Sequence, residues 1–386
     1  MRFDRLEGYL VRLPLKKPLR VSNAPTEFCE TVLFRIESDG VSGWGEVAPG
    51  NSPILTEQWS GATYLTARDV ILPLLTEAQY VDRAESFADI FASIKGNRQA
   101  RGVAETAWQD LNARLRGEPL WKTLGGEKKP LKVGLTFDRF IEEDEFFNEL
   151  KRATDENFVR LTLKIRPGWN VQILNFARLD TPSWLQLQVD VEGGLDFEKH
   201  SDTLYRMDDF FLNCVEQPLA AKDFVAHAML KDATRTPICL DESIESIEDA
   251  AMAFDLEACR VVCLKPGRVG GHWEARRIAD FAASKEITCY AGFDLQSSLG
   301  YRHLAALAST SNFVLPTDYQ RLDEILTFDP VAPLPAVEVT PTLDAEANEP
   351  PRPYRAVELW DEPGIGADPD LEGLAPYILD KFEWTR

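Results

Sequence analysis

Histidine, cysteine and long apolar runs are scarce in this sequence. It has four histidines and six cysteines among 386 residues, and no two cysteines have the spacing of a CxxC metal or redox motif. Several cysteines lie inside apolar runs such as ACRVVCLKP, which favours buried thiols in a reducing compartment. No apolar run reaches the roughly 18–20 residues of a membrane span, and the charged N-terminal segment lacks a signal-peptide core. These absences predict a cytoplasmic protein with no membrane partner.

Basic residues are also outnumbered by acidic ones. The chain has 42 lysines and arginines against 63 aspartates and glutamates, which gives a net charge of −21 at pH 7. A field of that sign repels nucleic acids and anionic lipids, so we expect neither as a partner. The length suits one large domain with a smaller one. Whether copies of the chain form a homo-oligomer is left open.

The sequence does contain a regular alternation of short β-rich runs and helical stretches. In HWEARRIADFAASKEI, for instance, Ala275, Ile278 and Ala282 fall on one helical face. A repeat of about 25 residues per unit predicts an α/β protein with a closed (β/α)8 barrel. An open doubly wound sheet is the weaker alternative, because no glycine-rich phosphate motif follows the first strand. The predicted strands are residues 131–137, 159–165, 185–191, 211–218, 237–243, 260–266, 287–293 and 313–316.

The two ends of the chain differ from this repeat. Residues 1–126 have the pattern of an α+β capping domain, with antiparallel strands joined by a turn at Ser38-Asp39-Gly40. Residues 127–320 would form the barrel, and residues 321–386 would pack back on the cap. Within that last part, residues 330–356 are rich in proline and acid, and we expect them to be irregular.

Charged residues occupy equivalent positions at the ends of five predicted barrel strands. They are Lys164, Asp190, Glu216, Asp241 and Lys265, separated in turn by 26, 26, 25 and 24 residues. The carboxyl ends of barrel strands meet at one mouth, so these side chains should converge there. Each residue alone is more often an ordinary polar residue of the mouth. Five charged residues at equivalent strand ends favour a functional site.

The order of the charges along the strands suggests the chemistry. Asp190, Glu216 and Asp241 lie on three neighbouring strands, and three oxygen ligands suit Mg²⁺, or Mn²⁺, better than Zn²⁺. Lys164 and Lys265 lie four strands apart, on opposite sides of the mouth. A lysine beside a dication and a second lysine should have a lowered pKa, as a general base requires. The site therefore predicts metal-assisted removal of a proton next to the carboxylate of a small-molecule substrate.

At these residues the chain resembles the enolase superfamily, in its muconate-lactonising subgroup. The resemblance is to the branch that holds o-succinylbenzoate synthases and N-succinylamino acid racemases, and it extends over nearly the whole chain. The segments that carry it are GWGEVAP (43–49), AETAWQDLNARLRGEPLWKTLGG (104–126), LKIRPGW (163–169), VEQPL (215–219), ICLDES (238–243), LKPGRVGG (264–271) and GIGADPDLEGL (364–374).

The resemblance implies Asp190, Glu216 and Asp241 as metal ligands and Lys164 and Lys265 as catalytic lysines. It implies Mg²⁺-dependent α-proton abstraction and dehydration through an enediolate, the o-succinylbenzoate synthase reaction of menaquinone biosynthesis. N-succinylamino acid racemisation is the first alternative, followed by reactions like those of muconate cycloisomerase or dipeptide epimerase. A barrel that has lost catalysis is a more remote one. All four histidines fall in helical stretches, which argues against the histidine base of the mandelate racemase branch.

Several positions depart from the usual pattern of that family. Thr162 replaces the first lysine of Lys-x-Lys and is a candidate substrate contact, and Glu192 adds an acid near the metal. Ser297 and Ser298 resemble a contact to the succinyl carboxylate, although they could equally cap the next helix. Glu242 should point away from Asp241 and support a ligand or lysine from behind.

Further residues are expected around the substrate. Arg166 lies beyond the end of its strand, where it would make a loop contact. In the family, two mobile loops of the cap close over the substrate, and by position these would be residues 18–26 and 48–56.

Overall fold

Two β-sheets organise the protein, one from the ends of the chain and one from its middle. The computed structural model describes residues 1–21, 24–78, 80–137, 143–165, 171–341 and 352–386. In chain order the strands are β1 Arg5–Val21, β2 Ala24–Ser38, β3 Val41–Val47, β4 Leu131–Phe137, β5 Arg160–Lys164, β6 Gln186–Asp190, β7 Val215–Glu216, β8 Ile238–Leu240, β9 Val261–Leu264, β10 Thr288–Ala291, β11 Thr317–Tyr319, β12 Ala336–Val339, β13 Tyr354–Val357 and β14 Ile378–Thr385.

Helices fill most of the connections between the strands. A π-helical turn at Ala67–Ile71 joins the first two, and 3₁₀ turns lie at Met207–Phe210 and Ala375–Tyr377. The α-helices are α1 Ser60–Thr66, α2 Leu72–Glu77, α3 Ala84–Asp89, α4 Arg98–Leu115, α5 Leu120–Thr123, α6 Glu143–Asp155, α7 Val171–Asp180, α8 Ser201–Arg206, α9 Phe224–Ala233, α10 Ile247–Asp255, α11 Pro266–Val269, α12 His272–Ser284, α13 Ser298–Ala308, α14 Leu322–Ile325 and α15 Leu371–Leu374.

The smaller sheet joins the beginning and the end of the chain in the order β14-β1-β2-β3, with every pair antiparallel. The β2–β3 turn falls at Asp39 and Gly40, whose φ angles are 53° and 75°. Positive φ at both central residues is typical of tight hairpin turns. The predicted turn and the return of the C-terminal segment to the cap are confirmed.

Helix α4 lies unusually close to this sheet. A Cβ atom at Gly43 would be 2.4 Å from Ala107 O, and one at Gly45 would be 2.3 Å from Val103 O. Only glycine allows this approach. The GWGEV segment therefore fixes the helix that carries the contact between the cap and the barrel.

The larger sheet closes into a barrel. Strands β4 to β11 follow one another in sequence order, are parallel, and close where β11 pairs with β4, with Thr317 opposite Val133. An isolated bridge between Cys289 and Phe313 also links β10 to the segment before β11. The predicted (β/α)8 barrel is confirmed, as is the buried face of α12 formed by Ala275, Ile278 and Ala282.

The eighth predicted strand was placed too early. Residues 313–316 precede β11, which begins at Thr317. Pro316 has no N–H to donate to a sheet ladder, so regular pairing starts only after it. Val314 is 67% exposed, which does not suit an inner barrel strand.

The acidic, proline-rich segment is more regular than expected. Its described part contains β12 and β13, which form an antiparallel hairpin with Ala336 opposite Val357. Strand β13 also pairs with β4, so the hairpin extends the barrel sheet. The prediction of an irregular segment was wrong for these strands, because the buried Ala356 and Val357 fix β13 against the barrel. Residues 342–351 lie outside the described part of the chain.

The cysteines and three of the four histidines lie where the sequence predicts. All six cysteines are buried and form no disulfide, as predicted. His227, His272 and His303 lie in α9, α12 and α13, but His200 lies in a turn before α8 rather than in a helix. Within the described residues, no helix has the length and apolar character needed to span a bilayer.

A carboxylate from the cap holds the beginning of a barrel helix. Glu105 in α4 accepts hydrogen bonds from His272 N at 2.7 Å and Trp273 N at 3.1 Å, the first two residues of α12. Gln109 Nε2 donates a third at 2.7 Å. Gly271, the residue before α12, has no side chain with which to cap it. Glu105 thus does across the domain contact what a capping residue usually does locally.

This contact predicts a pH dependence of stability. Burial raises the pKa of Glu105 to about 7, although its three N–H donors oppose that shift. Since the ordinary value is 4.5, the folded protein binds the proton more tightly than the unfolded chain does. The contribution of Glu105 to the free energy of unfolding therefore falls as pH rises from about 4.5 to about 7.

A Glu105→Gln variant should lack that dependence. Relative to the variant, the wild type should lose roughly 3 kcal/mol of unfolding free energy across this interval. Urea unfolding of both proteins at several pH values measures the difference. Identical pH profiles would show that Glu105 does not titrate there.

Candidate active site

The barrel register brings the charged strand ends together. Lys164 lies opposite Asp190 on the neighbouring strand, and Asp190 lies opposite Glu216. Asp241 and Lys265 follow directly after β8 and β9. Four of the five side chains, all but Asp241, line a cavity of about 110 Å³ at the barrel mouth.

Each lysine is held by two carboxylates. Lys164 Nζ donates to Asp190 Oδ2 at 2.9 Å and to Glu192 Oε1 at 2.5 Å. On the opposite side, Lys265 Nζ lies 2.8 Å from Asp241 Oδ2 and 3.4 Å from Asp294 Oδ1. The two ammonium groups therefore flank the carboxylates from both sides, as the strand order predicts.

The prediction of a lowered lysine pKa assumes a neighbouring dication, whereas the protein's own groups act on the pKa of Lys265 in opposite directions. Burial and the neighbouring Arg268 lower its pKa, but Asp241 and Asp294 outweigh them and raise it well above the ordinary value. The sequence shows which strand ends carry carboxylates. It does not show how directly those carboxylates pair with the amine.

The carboxylates have contrasting surroundings. Burial, Asp190 and Asp241 raise the pKa of Glu216, whose Oε2 accepts hydrogen bonds from Gln188 Nε2 at 2.8 Å and Tyr290 OH at 2.5 Å. Although burial acts in the same direction on Asp241, Arg268 and Lys265 hold its pKa well below the ordinary value. Neutral groups therefore donate hydrogen bonds to Glu216, whereas two cations are paired with Asp241.

The buried acids are suited to a hard cation. Carboxylates this close repel one another, which shows in the raised pKa of Glu216, and a bound dication would relieve that repulsion. Oxygen donors favour Mg²⁺. Burial, Asp241 and Glu216 raise the pKa of the neighbouring Cys263 thiol.

The predicted ligand set is only partly assembled. Ligand atoms of Glu216, Asp241 and Cys263 lie within 4.8 Å of one another. Asp190 is outside that group, since its Oδ2 accepts from Lys164 and its Oδ1 from Glu192 N at 3.0 Å. The structure therefore brings two of the three predicted ligands within reach of one ion, with the third beside Glu216 in the sheet.

Glu242 has different surroundings from its neighbour Asp241. Glu242 lines the mouth cavity, which Asp241 does not, and it lies 4.0 Å from Arg268, the partner of Asp241. Burial and Asp241 raise the pKa of Glu242 to about 8, and its Oε2 has no hydrogen-bond partner among the described residues.

Two predicted substrate contacts do not reach the cavity. Ser297 Oγ donates to Glu46 Oε2 at 2.5 Å and accepts from Leu299 N, which caps α13. Ser298 Oγ donates to Asp329 Oδ2 at 2.6 Å. Both serines are fully buried, and neither lines the mouth cavity. The structure matches the capping alternative for Ser297.

Thr162 and Glu192 do line the mouth cavity. Thr162 is buried, and its Oγ1 has no hydrogen-bond partner among the described residues. A buried hydroxyl without a partner is costly, so this oxygen is suited to a bound polar group. Arg166 lies outside the described residues.

Sequence reasoning missed three charged residues of the cavity. Arg268 pairs with Asp241 and lies in the LKPGRVGG segment. Asp294 pairs with Lys265 and directly follows the seventh strand region. Asp318 pairs with the fully buried Arg160, and it was missed because the eighth strand was placed before it. Asp294 could have been found from the sequence, because it directly follows a predicted strand. Arg268 and Asp318 could not, because their ion pairs depend on contacts that only the folded chain makes.

A larger cavity of about 630 Å³ adjoins the mouth between cap and barrel. Residues from both predicted substrate loops line it, including Pro18, Thr26, Ala48 and Leu55, and it shares Leu55, Arg268, Asp294 and Leu295 with the mouth cavity. The first predicted loop is mostly strand, because β1 extends to Val21 and β2 begins at Ala24.

The sequence matches two known domain families. The family described as "Mandelate racemase / muconate lactonizing enzyme, N-terminal domain" matches residues 7–125, and the one described as "Enolase C-terminal domain-like" matches residues 145–373. The chain belongs to the enolase superfamily. The resemblance seen in the motifs is thereby confirmed.

Relatives and solved structures agree with this membership. An o-succinylbenzoate synthase of Geobacillus kaustophilus is 33% identical over 368 residues, which cover 95% of this chain and 93% of the relative. An N-succinylamino acid racemase of Amycolatopsis sp is 32% identical over 333 residues, covering 86% and 90%. A crystal structure of an enolase superfamily member from Listeria innocua has a TM-score of 0.88 at 28% identity and covers 100% of this chain and 99% of its own. The two named relatives are enzymes.

Gly292 leaves room for the side chains of Cys263 and Lys265 at the barrel mouth. A Cβ atom there would lie 2.1 Å from Cys263 Sγ and 2.9 Å from Lys265 Cε. We predict that Gly292→Ala displaces the Lys265 amine and lowers kcat about a hundredfold, since small errors of position are costly in catalysis. Steady-state kinetics with circular dichroism as a folding control measure this. An active, folded variant would mean that Lys265 needs no such space.

Proposed function

We propose that this protein is an o-succinylbenzoate synthase that removes a proton and then water from a cyclohexadiene carboxylate, with Mg²⁺ as its cofactor. The observation that carries the proposal is the pair of ammonium groups, Lys164 and Lys265, on opposite sides of a buried carboxylate cluster. Relatives of that name at 30–33% identity support this reaction.

The carboxylates of Asp190, Glu216 and Asp241 would hold the ion. When bound, Mg²⁺ supplies positive charge that stabilises the enediolate left by loss of the α-proton. The charge of Lys265 would help draw the substrate carboxylate to the same place. Closure of the mouth by the cap residues around Leu55 would keep water away from the reacting carbon.

The two lysines would have different tasks. Lys164, as the neutral amine, takes the α-proton and later returns a proton to the departing hydroxyl, so that one group serves as base and then as acid. Its proton is now held by Asp190 and Glu192. Lys265, which is paired with Asp241 and Asp294, stays charged and stabilises the anion.

Other residues would orient the substrate. Thr162 Oγ1 is free to donate a hydrogen bond into the mouth, in place of the first lysine of the family motif. Glu242 and Glu192 would shape the charge around the ion and Lys164. We place the reaction in menaquinone biosynthesis in the cytoplasm, and we divide the chain at residues 126 and 320.

Turnover of the cyclohexadiene substrate tests this function. With Mg²⁺ the purified protein should produce o-succinylbenzoate. EDTA should abolish the activity, and added Mg²⁺ should restore it. Substrate left unchanged in the presence of Mg²⁺ would overturn the proposal.

Racemisation of N-succinylamino acids is the second candidate. The opposed positions of Lys164 and Lys265 favour it, because a racemase needs a base on each face of the α-carbon. The 32% identical racemase supports it as well. In D₂O, both enantiomers of an N-succinylamino acid should then exchange the α-proton. If neither exchanges, the second candidate is excluded.

A further inference from the structure

A group of thiols lies in the barrel interior near the carboxylates. Cys214, Cys239 and Cys263 pack together with Val261 and Tyr290 in a buried cluster of their own. The proton-transfer mechanism uses none of these thiols. Tyr290 nevertheless donates to Glu216 Oε2, so the cluster is in direct contact with the carboxylates.

One of these thiols is within reach of two of the acids. Cys263 Sγ and carboxylate oxygens of Glu216 and Asp241 all lie within 4.8 Å of one another, and all three residues are buried. A tetrahedral dication with bonds of about 2.0–2.3 Å brings its ligand atoms to about 4 Å or less from one another. Small side-chain rotations would therefore let one ion bind all three groups.

The ligands differ in their present partners, because Asp241 is paired with Lys265 and Arg268, which a bound ion would displace. The donors to Glu216 are a neutral amide and a neutral phenol, so the structure places no formal positive charge on its Oε2. Glu242 lines the same cavity as Glu216, is buried, and has an Oε2 without a hydrogen-bond partner among the described residues.

The thiol selects the kind of ion. Mg²⁺ takes oxygen ligands, whereas Zn²⁺ and Cd²⁺ bind thiolate sulfur strongly. We propose that Glu216, Asp241 and Cys263 form a site for a thiophilic dication that overlaps the Mg²⁺ position, so that Zn²⁺ or Cd²⁺ binds tightly there and inhibits the enzyme. On binding, the S–H bond of Cys263 breaks, a sulfur–metal bond forms, and the proton passes to solvent. The overlap and the inhibition rest on the proposed function, but the site itself does not.

Titration of the metal-free full-length protein with CdCl₂ tests the site. Cadmium–thiolate bonds absorb in the near ultraviolet, so a charge-transfer band should grow and saturate at one Cd²⁺ per chain. The band should be absent in Cys263→Ser and unchanged in Cys259→Ser, a buried cysteine outside the cluster. Excess Mg²⁺ should reduce the band, because both ions need Glu216 and Asp241.

Several outcomes would overturn the proposal. These are a band that persists in Cys263→Ser, saturation without any band, and a band that Mg²⁺ does not affect. Thermal unfolding shows whether Cys263→Ser is folded, and Cys263→Ala serves in its place if it is not. For an active enzyme, Zn²⁺ inhibition should weaken at least tenfold in the variant. The band is measured without substrate, so it can appear even if the protein proves not to be a synthase.

Discussion

Replacing Lys164 by alanine is expected to lower kcat about a thousandfold, in the range that a lost general base usually costs. The proton to be removed then has no acceptor on that face of the mouth, while Asp190 and Glu192 keep their positions. Steady-state turnover of the cyclohexadiene substrate at saturating Mg²⁺ measures the loss. Circular dichroism verifies the fold.

Two further variants make this result specific to proton transfer. Lys164→Arg keeps the positive charge but cannot give up a proton near neutral pH, so it should be nearly as inactive as the alanine variant. Lys151→Ala removes an exposed lysine paired with Asp155 and should retain full activity. If Lys164→Ala matched the wild type in every candidate assay, the barrel would be a scaffold without this chemistry.

The largest loss of stability is expected for Arg160→Met. Arg160 is fully buried, pairs with Asp318, donates to Pro316 O at 2.6 Å and lies 4.7 Å from the Tyr290 ring centroid. Methionine leaves the buried Asp318 without its ion-pair partner. Breaking a buried pair from one side costs about 3–5 kcal/mol, which urea unfolding would detect.

A double variant separates the lost ion pair from lost packing. Arg160→Met combined with Asp318→Asn has no buried charge left at this place, and the new amide oxygen can still accept the hydrogen bond that Phe293 N donates to Asp318. We expect it to regain about 2 kcal/mol over Arg160→Met alone. A double variant no more stable than the single one would assign the loss to packing.

The repeat of the barrel explains why much of the site could be predicted from sequence. One βα unit separates each charged strand end from the next, so Lys164, Asp190 and Glu216 fall side by side in the sheet once the strands are found. Asp241 and Lys265 follow for the same reason. Their spacing can be read from the sequence, and a closed barrel then brings the strand ends together at one mouth.

Positions that depend on distant partners could not be predicted this way. Ser297 was a candidate substrate contact, but its partner Glu46 comes from the cap, 251 residues away in sequence. Lys265 pairs with Asp241 and also with Asp294, whose approach is set by the backbone after β10.

Locating the ion tests the account most directly. Mn²⁺ can stand in for Mg²⁺, and its anomalous scattering in a crystal gives its position without assumptions about ligands. The account predicts one peak within bonding distance of Asp190, Glu216 and Asp241, with the amines of Lys164 and Lys265 on either side. A peak away from these carboxylates, or both amines on one side of it, would contradict the account.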